Sequence, residues 1–565
     1  MILVLLFVAL GALIALPITS YYHFTESRPD YGGSYTEGLV GAPKFINPLL
    51  SQASDVDRDL VRIIYSGLMK YDSSGKLTYD LAESYEISAD GLIYTFKLKD
   101  NLTWHDGQPV TADDIVFTIL TTQNPDYGSN QRINWLSVEI NKIDDLTVNF
   151  KLKNKYSLFL SNTTLGIIPK HAWEKIKPSS FGLSELNLKP IGSGPFLFSK
   201  IKKDSNGIIS AMELESFDGY YAGRPFLDKL VFKFYSTEDA MIKAFNNSDV
   251  DGLGYLTPAK RNSIRFPGKL EIKELKLPRY FAIFFNQNQS KVLSDKNVRL
   301  ALNYATDKNE ILRSNQYEDG VVVDSPMLPG IIDMESPSTI YSFDLEKANQ
   351  ILEQAGWVYP NETGAESIRQ KKAETKKTTS KTKTSENPAE PTKLEIKITT
   401  SNLAELANTA NILKTQWGKI GARVIVEVLS LSELQQAIKD REYESLLFGE
   451  VLGLDPDPFS FWHSSQKRDP GLNLALYDNK DVDKLLEDAR QTLDQSKRLF
   501  EYANFQKILI ADTPAVFLYS PSYLYPQNQN LVANISSIIS IPSERFNTVN
   551  QWYTDTERKF IRNED

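Results

Sequence analysis

Between Leu92 and Leu120 the hydrophobic pattern changes its period, and this change predicts a strand followed by a turn. Apolar residues first recur at every second position: Leu92, Tyr94, Phe96 and Leu98. This spacing is typical of a strand with one buried face. Asp106 and Gly107 then form a common turn pair, and Pro109 lacks the backbone donor that a continuing strand needs.

A helix is predicted directly after this turn. Thr111 and Asp114 have the spacing at which a hydroxyl and a carboxylate cap the free N–H groups of a first helical turn. Apolar residues then recur at helical intervals, giving the helix one apolar side: Ile115, Val116, Ile119 and Leu120.

Similar patterns continue along the chain and alternate between strand and helix. The order is that of an α/β protein. Strands are predicted around 146–152, 230–234, 281–286, 394–398, 424–428 and 516–519, and helices around 57–68, 298–312, 344–355, 403–420, 478–493 and 496–510.

The segment from Asp80 to Thr118, DLAESYEISADGLIYTFKLKDNLTWHDGQPVTADDIVFT, resembles the signature of the family 5 extracytoplasmic solute-binding proteins. Further similarity lies in GSYTEGLVGAPKFINPLL after Gly33 and in IPKHAW from Ile168. The resemblance covers the chain from Gly33 to about Tyr525, except for one insertion. It implies an α/β, two-lobed, hinge-bending fold like that of type II periplasmic binding proteins, with an extra small domain.

The resemblance also implies a division into domains. Lobe I is expected to comprise 33–70, 190–284 and 525–555, the small domain 71–189, and lobe II 285–524. The chain is expected to cross between the lobes near Phe285 and Tyr523, with the ligand between them.

The N-terminal segment from Ile2 to Ile18 is apolar and uncharged, at the lower limit of what spans a bilayer. No basic residue precedes it, and Ile18-Thr19-Ser20 is a poor cleavage site. We therefore expect residues 1–20 to be an uncleaved membrane anchor, with a cleaved signal peptide as the alternative. Either segment places the protein on the extracytoplasmic face of the cell membrane.

Residues 360–392 form an insertion rich in lysine and threonine that relatives do not need. Large apolar residues are almost absent from it, so it has little surface to bury. We predict a disordered loop within lobe II. Contact with acidic polymers or lipid head groups is the less favoured alternative.

Composition excludes several kinds of function. The 565 residues carry a net charge of −9, and the folded part lacks a basic block large enough for nucleic acid. There is no cysteine, hence no disulfide, no thiol nucleophile and no lipid-accepting cysteine. The four histidines do not form a metal motif, and the carboxylates show no catalytic spacing. We expect no enzyme activity, no cofactor and no metal site.

The WHDG sequence at 104–107 is interpreted as structural. Trp104 is expected to be packed, Asp106 to hold the turn, and His171 to be a cap or a surface residue.

The resemblance implies that the chain delivers a peptide to an ABC importer with two permease and two ATPase subunits, acting as a monomer. Peptide-binding relatives hold the peptide ammonium with an aspartate four residues before the proline of an acidic-Pro motif. That position is Leu454 here. The nearest carboxylates, Asp455 and Asp457, are therefore the candidates, since a buried ammonium needs a partner. Alternatively, Asp455-Pro-Asp-Pro is turn sequence without a ligand role.

Other candidate ligand contacts follow from positions that match the family: Asn47, Phe285, Asn286, Trp462 and Tyr523. An oligopeptide is the favoured ligand. An oligosaccharide, an opine or a metal chelate is the alternative, with His463 beside Trp462 as weak support for a chelate. A cell-surface interaction protein on the same fold is a third possibility.

Overall fold

The structure, a computed structural model, describes residues 23–265, 270–317, 319–328, 330–331, 334, 337–360, 368–372 and 390–560. The pattern from Leu92 to Leu120 forms the predicted elements, a strand at Ile93–Leu98 and a helix at Ala112–Gln123. The Thr111 N–H donates to Asp114 Oδ2 at 2.9 Å, which confirms the predicted helix cap.

The strand Ile93–Leu98 belongs to an antiparallel sheet of four strands, which we call the small-domain sheet. In spatial order the strands are Ala82–Ile87, Ile93–Leu98, Thr147–Leu152 and Val138–Asp144. Their inward-facing residues form one core with the capped helix, including Phe96, Trp104, Ile115 and Phe150. A two-stranded ribbon, Met69–Tyr71 with Leu77–Tyr79, precedes this sheet.

A seven-stranded sheet defines what we call lobe I. In spatial order its strands are Leu270–Leu275, Tyr523–Asn528, Gly252–Leu253, Ser34–Val40, Lys229–Tyr235, Ile209–Ser216 and Phe196–Lys203. The helices of this lobe are Asp55–Ile64 and Glu238–Asn246. Ser34–Val40 and Lys229–Tyr235 are parallel neighbours, so chain segments far apart in sequence share one core.

A six-stranded sheet defines lobe II. In spatial order its strands are Val321–Val322, Ala515–Ser520, Arg279–Phe285, Ser445–Val451, Glu395–Ser401 and Arg423–Leu429. Its helices are Lys296–Tyr304, Lys308–Ser314, Leu345–Gln354, Ala404–Gly418, Leu431–Asp440, Lys480–Gln491 and Gln495–Asp512. Two separate apolar clusters are built on this sheet, one containing Ile283 and Trp417 and the other containing Phe284 and Trp462.

Short helical turns occur between these elements. They are Ser51–Ala53, Pro125–Tyr127, Arg132–Trp135, Phe159–Asn162, Lys170–Trp173, Pro178–Phe181, Glu185–Asn187, Pro258–Ser263, Lys291–Ser294, Phe459–Trp462, Ser464–Gln466, Pro542–Phe546 and Val549–Gln551.

The first crossing between the lobes lies earlier than predicted. All of Arg279–Phe285 pairs with Ser445–Val451 of lobe II, so the chain passes between the sheets at 276–278 and not near Phe285. The second passage lies at 521–522, between Ala515–Ser520 of lobe II and Tyr523–Asn528 of lobe I. The predicted boundary at 284/285 is therefore corrected by the hydrogen bonding of this strand.

Regular structure also extends beyond the expected limits of lobe I at 33 and 555. Thr25–Pro29 and Thr556–Phe560 form an antiparallel ribbon that joins the two ends of the described chain. The predicted anchor at 1–20 lies outside the described residues. None of the helices in the described part of the chain has the length and apolar character required to cross a membrane.

Part of the insertion predicted to be disordered is ordered. Gln370–Lys371 pairs with Thr392–Lys393. Beside this ribbon, Arg369 is 1% exposed and donates to the carbonyls of Trp357, at 2.7 Å, and Ile420, at 3.0 Å. The prediction is therefore wrong for 368–372, because a buried arginine holds this segment to lobe II. Residues 361–367 and 373–389 lie outside the described residues.

Candidate ligand-binding cleft

A cavity of about 420 Å³ lies where the crossings between the two lobes meet lobe I. The end of the strand Ser34–Val40, the first turn of the helix Asp55–Ile64 and the loop at Tyr255 enclose it, together with Arg279 and Tyr523 beside the two crossings. Its volume falls within the range of small-molecule sites, roughly 300–1,000 Å³. Its lining residues are Leu39, Val40, Asp55, Val56, Asp59, Glu238, Met241, Gly254, Tyr255, Arg279, Tyr523 and Pro542.

One wall of the cavity rests on a buried charge network. Arg545, which has no exposed side-chain surface, donates to Asp59 Oδ1 at 2.8 Å and to Glu37 Oε1 at 2.7 Å. The Tyr525 hydroxyl donates to the other oxygen of Glu37 at 2.6 Å. Burial raises the pKa of Asp59 to about 6, although the Arg545 guanidinium opposes this increase. The two carboxylates and one guanidinium leave a negative charge behind this wall.

The other two carboxylates of the lining also have partners. Asp55 forms an ion pair with Arg58. Glu238 accepts hydrogen bonds from the backbone N–H of Thr257 at 2.6 Å and from its hydroxyl at 2.8 Å. These acidic side chains are therefore bound within lobe I.

Arg279 is the basic residue of the lining, and it has no such partner. Within the described ranges its guanidinium forms no ion pair and no hydrogen bond, and its Nε atom is buried without an acceptor. Arg279 begins the strand that follows the first crossing. The cavity thus contains one unpaired positive charge beside the hinge.

Two pairs of tyrosines lie near this charge, one in each lobe, and the lobe I pair lines the cavity. The rings of Tyr255 and Tyr523 lie 5.1 Å apart, centroid to centroid, on the lobe I side, and those of Tyr317 and Tyr519 lie 5.3 Å apart in lobe II. Burial raises the pKa of Tyr519 to about 12, and the positive charge of Arg279 opposes this increase. The rings and phenol groups of Tyr255 and Tyr523 give the cavity wall both apolar and polar surface.

A second cavity, of about 260 Å³, lies between lobe I and the small domain. Its lining is mostly polar and includes Gln52, Arg62, Tyr71, Asn162 and Glu544. Both cavities lie against the helix Asp55–Ile64, since Val56 and Asp59 line the first and Val61 and Arg62 line the second.

Of the residues predicted from sequence, Tyr523 lines the larger cavity, where its hydroxyl donates to the carbonyl of Gly254. Asn47 is fully buried. Its side chain accepts from the N–H of Leu49 at 3.0 Å and donates to Asn187 at 3.2 Å, so it supports the turn. Pro48, the next residue, lines the smaller cavity.

Phe285, Asn286 and Trp462 lie inside lobe II in this arrangement of the lobes, and their contact with a ligand stays a prediction. Phe285 and Asn286 have no exposed surface, and Trp462 is 1% exposed. Asn286 donates to the carbonyl of Arg441 at 3.1 Å, and Trp462 packs on Phe284. The sequence similarity marks their positions, but their side chains point into the core.

Asp455 and Asp457 each bind an arginine of the same lobe. Arg498 Nη2 lies 3.1 Å from Asp455 Oδ1, and Arg490 Nη2 lies 2.7 Å from Asp457 Oδ2. Burial raises the pKa of Asp455, and Arg498 opposes the increase. Leu454 lies beside the small domain, since a Cβ atom added at Gly75 would be 3.7 Å from Leu454 Cδ1. The role of either aspartate in binding an ammonium stays a prediction.

His463 is 7% exposed and is held by its neighbours. Its Nδ1 lies 2.8 Å from Ser465 Oγ, and its Nε2 lies 3.3 Å from Glu487 Oε1. The described residues contain no group of three or more histidines and carboxylates arranged to hold a metal ion.

The WHDG turn has the structural role that the sequence indicated. Trp104 is fully buried, and Asp106 Oδ1 accepts from the N–H of Gln108 at 3.2 Å. Its other oxygen lies 2.8 Å from Nε2 of the partly exposed His171.

Sequence reasoning did not find Arg279, Tyr255 or Asp59. The sequence held one signal for Arg279, since the two-residue period of the strand puts it on the same face as Phe281. Asp59 gave no signal, because its partner Arg545 lies 486 positions away.

The chain belongs to the family described as bacterial extracellular solute-binding proteins, family 5, since residues 76–471 match that family's middle region. The oligopeptide-binding protein AppA of Bacillus subtilis (strain 168) is 29% identical over 522 residues, covering 90% of each chain. Family 5 proteins bind solutes outside the cytoplasm and are not an enzyme family.

Solved structures show the same fold. The structure of B. subtilis AppA in complex with a nonapeptide is 27% identical, has a TM-score of 0.70, and matches 93% of this chain and 99% of that one. NikZ of Campylobacter jejuni in complex with Ni(L-His) is 26% identical, with a TM-score of 0.72 and coverage of 92% and 99%. The predicted family and the two-lobed fold are therefore confirmed.

Proposed function

We propose that this solute-binding protein captures oligopeptides in the cleft between its lobes and delivers them to an ABC permease. The observation that carries the proposal is the cavity beside the two crossings, whose wall combines tyrosine rings, aliphatic side chains and one unpaired guanidinium. Mixed walls of this kind suit a peptide, which presents apolar, polar and charged groups together.

The named relatives support a peptide. AppA is described as an oligopeptide-binding protein, and the E. coli dipeptide-binding protein is 25% identical over 516 residues. Two chain passages between the sheets provide a hinge, so closure of the lobes buries a ligand from both sides.

We also propose that the protein is monomeric and is held at the outer face of the membrane by residues 1–20. Its partners are two permease and two ATPase subunits. Recovery from cells of mature chains that all begin after residue 20 and are free in the medium would refute the anchor. A gene neighbourhood without permease genes would favour the cell-surface interaction protein.

The test of ligand class is calorimetry of the purified full-length chain with a mixed pool of tetra- to octapeptides. Mass spectrometry of the retained peptides identifies those that bind. We expect saturable binding and retention of peptides across many sequences. Absence of binding, after any co-purified ligand is removed by partial unfolding and refolding, would overturn the peptide proposal.

A non-peptide solute is the second candidate, and one observation favours it. Leu454 occupies the position of the expected ammonium-binding aspartate, while Asp455 and Asp457 already bind Arg498 and Arg490. A similar structure holds Ni(L-His), which is not a peptide. Calorimetry with oligosaccharides, opines and Ni(L-His) tests this candidate in parallel.

Asp455→Asn tests the ammonium assignment separately. If Asp455 binds the ammonium, the variant loses affinity for peptides with a free amino terminus and not for N-acetylated peptides. Equal binding of free peptides by both proteins, or a preference for acetylated ones, would contradict the assignment and leave Asp455 as a turn residue.

A further inference from the structure

The charges around the larger cavity fall into two groups. Asp59, Asp55 and Glu238 have partners inside lobe I, whereas Arg279 has none in the part of the chain that the structure describes. A guanidinium carries five donors in a planar fork that matches a carboxylate. The cavity therefore offers a ligand one free group suited to an anion.

The position of Arg279 strengthens this point. Its Nε has no exposed surface and no hydrogen-bond acceptor among the residues that the structure describes. Its neighbour Pro278 belongs to the first crossing, and Tyr255 and Tyr523 of lobe I line the same cavity. A group bound to Arg279 therefore contacts both lobes at the hinge.

Glu405 is the alternative partner within the protein. It lies in the first turn of the helix Ala404–Gly418. Burial raises the pKa of Tyr317, the Tyr519 phenol and the negative charge of Glu405 raise it further, and Arg279 opposes the increase. The two charges thus act on the same tyrosine, yet they form no ion pair within the described residues. Arg279 is therefore not committed to Glu405 in this arrangement of the lobes.

We infer that Arg279 binds a carboxylate of the ligand at the hinge end of the cleft. This inference rests on the proposed peptide function and adds the chemical class that the cavity selects. The carboxylate comes from the peptide's C-terminus or from an aspartate or glutamate side chain. Both have the same planar, bidentate geometry and differ only in their place along the ligand.

The experiment compares four peptide pools by calorimetry, with free-acid or amidated C-termini and with or without aspartate and glutamate. The wild-type protein is expected to bind free-acid pools about tenfold more tightly than amidated ones, since a charge-assisted bond to a desolvated guanidinium is lost. If the carboxylate comes from acidic side chains, the affinity falls about tenfold when aspartate and glutamate are absent from the pool. Amidation of the C-terminus then leaves the affinity unchanged. Equal affinity for all four pools overturns the inference.

Arg279→Gln tests the residue itself. It should weaken binding of the carboxylate-bearing pool about tenfold and leave the pool without carboxylates unchanged, so that the two pools become equivalent. Arg279→Lys keeps the positive charge without the planar guanidinium, so its affinity for the carboxylate-bearing pool should lie between those of the wild-type protein and Arg279→Gln. It also serves as the test if the glutamine variant folds poorly. Arg313→Gln is the matched control, because Arg313 is 71% exposed and lies 3.9 Å from Asp307.

Three outcomes separate the possible failures. If peptides bind and Arg279→Gln weakens all pools equally, the inference is wrong and the peptide function stands. If Glu405→Gln restores the binding lost in Arg279→Gln, the arginine neutralises Glu405 and the inference is again wrong. If no pool binds to the wild-type protein, the peptide function fails and the inference fails with it.

Discussion

His105 belongs to a sequence that suggests chemistry, but backbone groups bind both of its ring nitrogens. Nδ1 accepts from the N–H of Gly192 at 3.2 Å, and Nε2 lies 3.0 Å from the carbonyl of Gly194. The ring must therefore be neutral, with its proton on Nε2. Burial lowers the pKa of His105 to about 4, although the Gly194 carbonyl and Asp106 oppose this.

The first prediction concerns this pKa and the stability of the protein. The unfolded-state pKa is about 6.5, so the contribution of His105 to stability is complete above that pH. It is lost as the pH falls towards 4, because the unfolded chain binds the proton more readily. Between pH 6.5 and 4 the melting temperature of His105→Gln should fall less than that of the wild-type protein. The glutamine amide keeps one donor and one acceptor. Identical pH profiles would contradict the prediction.

The second prediction concerns the buried arginine of lobe I. Arg545→Met leaves Glu37 and Asp59 as two carboxylates without a cation, which we expect to cost about 3–5 kcal/mol of unfolding free energy. Denaturant unfolding measures the change. The control is Arg28→Met, which removes an exposed pair with Glu26 and should cost about 1 kcal/mol or less. Similar losses in the two variants would show that the buried network contributes little.

Single residues also show what the sequence does not reveal. Glu37 and Arg545 are separated by 508 positions, so no local pattern pairs them. Phe285 and Asn286 occur where the family places cleft residues, yet burial directs both side chains inward. Tyr523 was predicted from the same family positions, and it does line the larger cavity.

Secondary structure elements were more predictable where local chemistry is strong. The strand, turn and capped helix from Leu92 to Leu120 required only alternation, Asp106-Gly107 and the Thr111–Asp114 pair. By contrast, the helix predicted over 298–312 is two helices. Asp307 interrupts it, since its side chain accepts from the N–H of Glu310 at 3.0 Å and caps a new helix. Apolar periodicity alone does not show such a break.

The third prediction concerns the ordered start of the insertion. Besides the carbonyls of Trp357 and Ile420, Arg369 contacts Asn349 Oδ1 at 2.9 Å and Glu353 Oε1 at 3.1 Å. A lysine cannot bind all these acceptors, so Arg369→Lys should lower the unfolding free energy by about 1–3 kcal/mol.

Arg423→Lys is the control for this change, because Arg423 is 55% exposed and pairs with Glu395 at 3.4 Å. Denaturant unfolding compares the two variants. Equal stability of Arg369→Lys and the wild-type protein would indicate that the segment is held by its strand pairing alone.

At the scale of the whole molecule, lobe II contacts the small domain as well as the hinge. The Ser157 N–H donates to the carbonyl of Arg490 at 2.9 Å, and the Arg490 guanidinium lies 5.2 Å from the centroid of the Tyr156 ring. Asp457 holds this guanidinium in place. These contacts join lobe II to the small domain in this arrangement of the lobes.

The fourth prediction is that Tyr156→Ala shifts the ligand-free protein towards an open arrangement. A cation–π contact contributes about 0.5–2 kcal/mol, so the ratio of closed to open molecules should fall by roughly twofold to thirtyfold. Distance measurements between spin labels on lobe II and the small domain report this ratio. Tyr31→Ala is the control, since Tyr31 makes a similar contact with Arg224 at 5.1 Å, within the lobe I region. An unchanged distance distribution would contradict the prediction.

The three-part architecture was predictable as a family property, whereas the relation between the parts was not. Resemblance to relatives implies two lobes and a small domain, but the contact of Arg490 with Tyr156 depends on how the lobes meet. The first crossing was misplaced because FAIFFN at 281–286 is apolar enough for either sheet. Hydrogen bonding with Ser445–Val451 decides its place, and that partner lies far along the chain.

The connectivity of the sheets has a consequence for the order in which the chain matures. The small-domain sheet is complete once residue 152 is made, and the sheet of lobe II needs only residues 279–520. The sheet of lobe I begins at Ser34 but cannot be completed before Tyr523–Asn528 has been synthesised. The ion pairs of Glu37 and Asp59 likewise cannot form before Arg545 has been synthesised. Since a chain is synthesised from its amino terminus, the lobe whose first strand is made earliest is the last to complete its sheet.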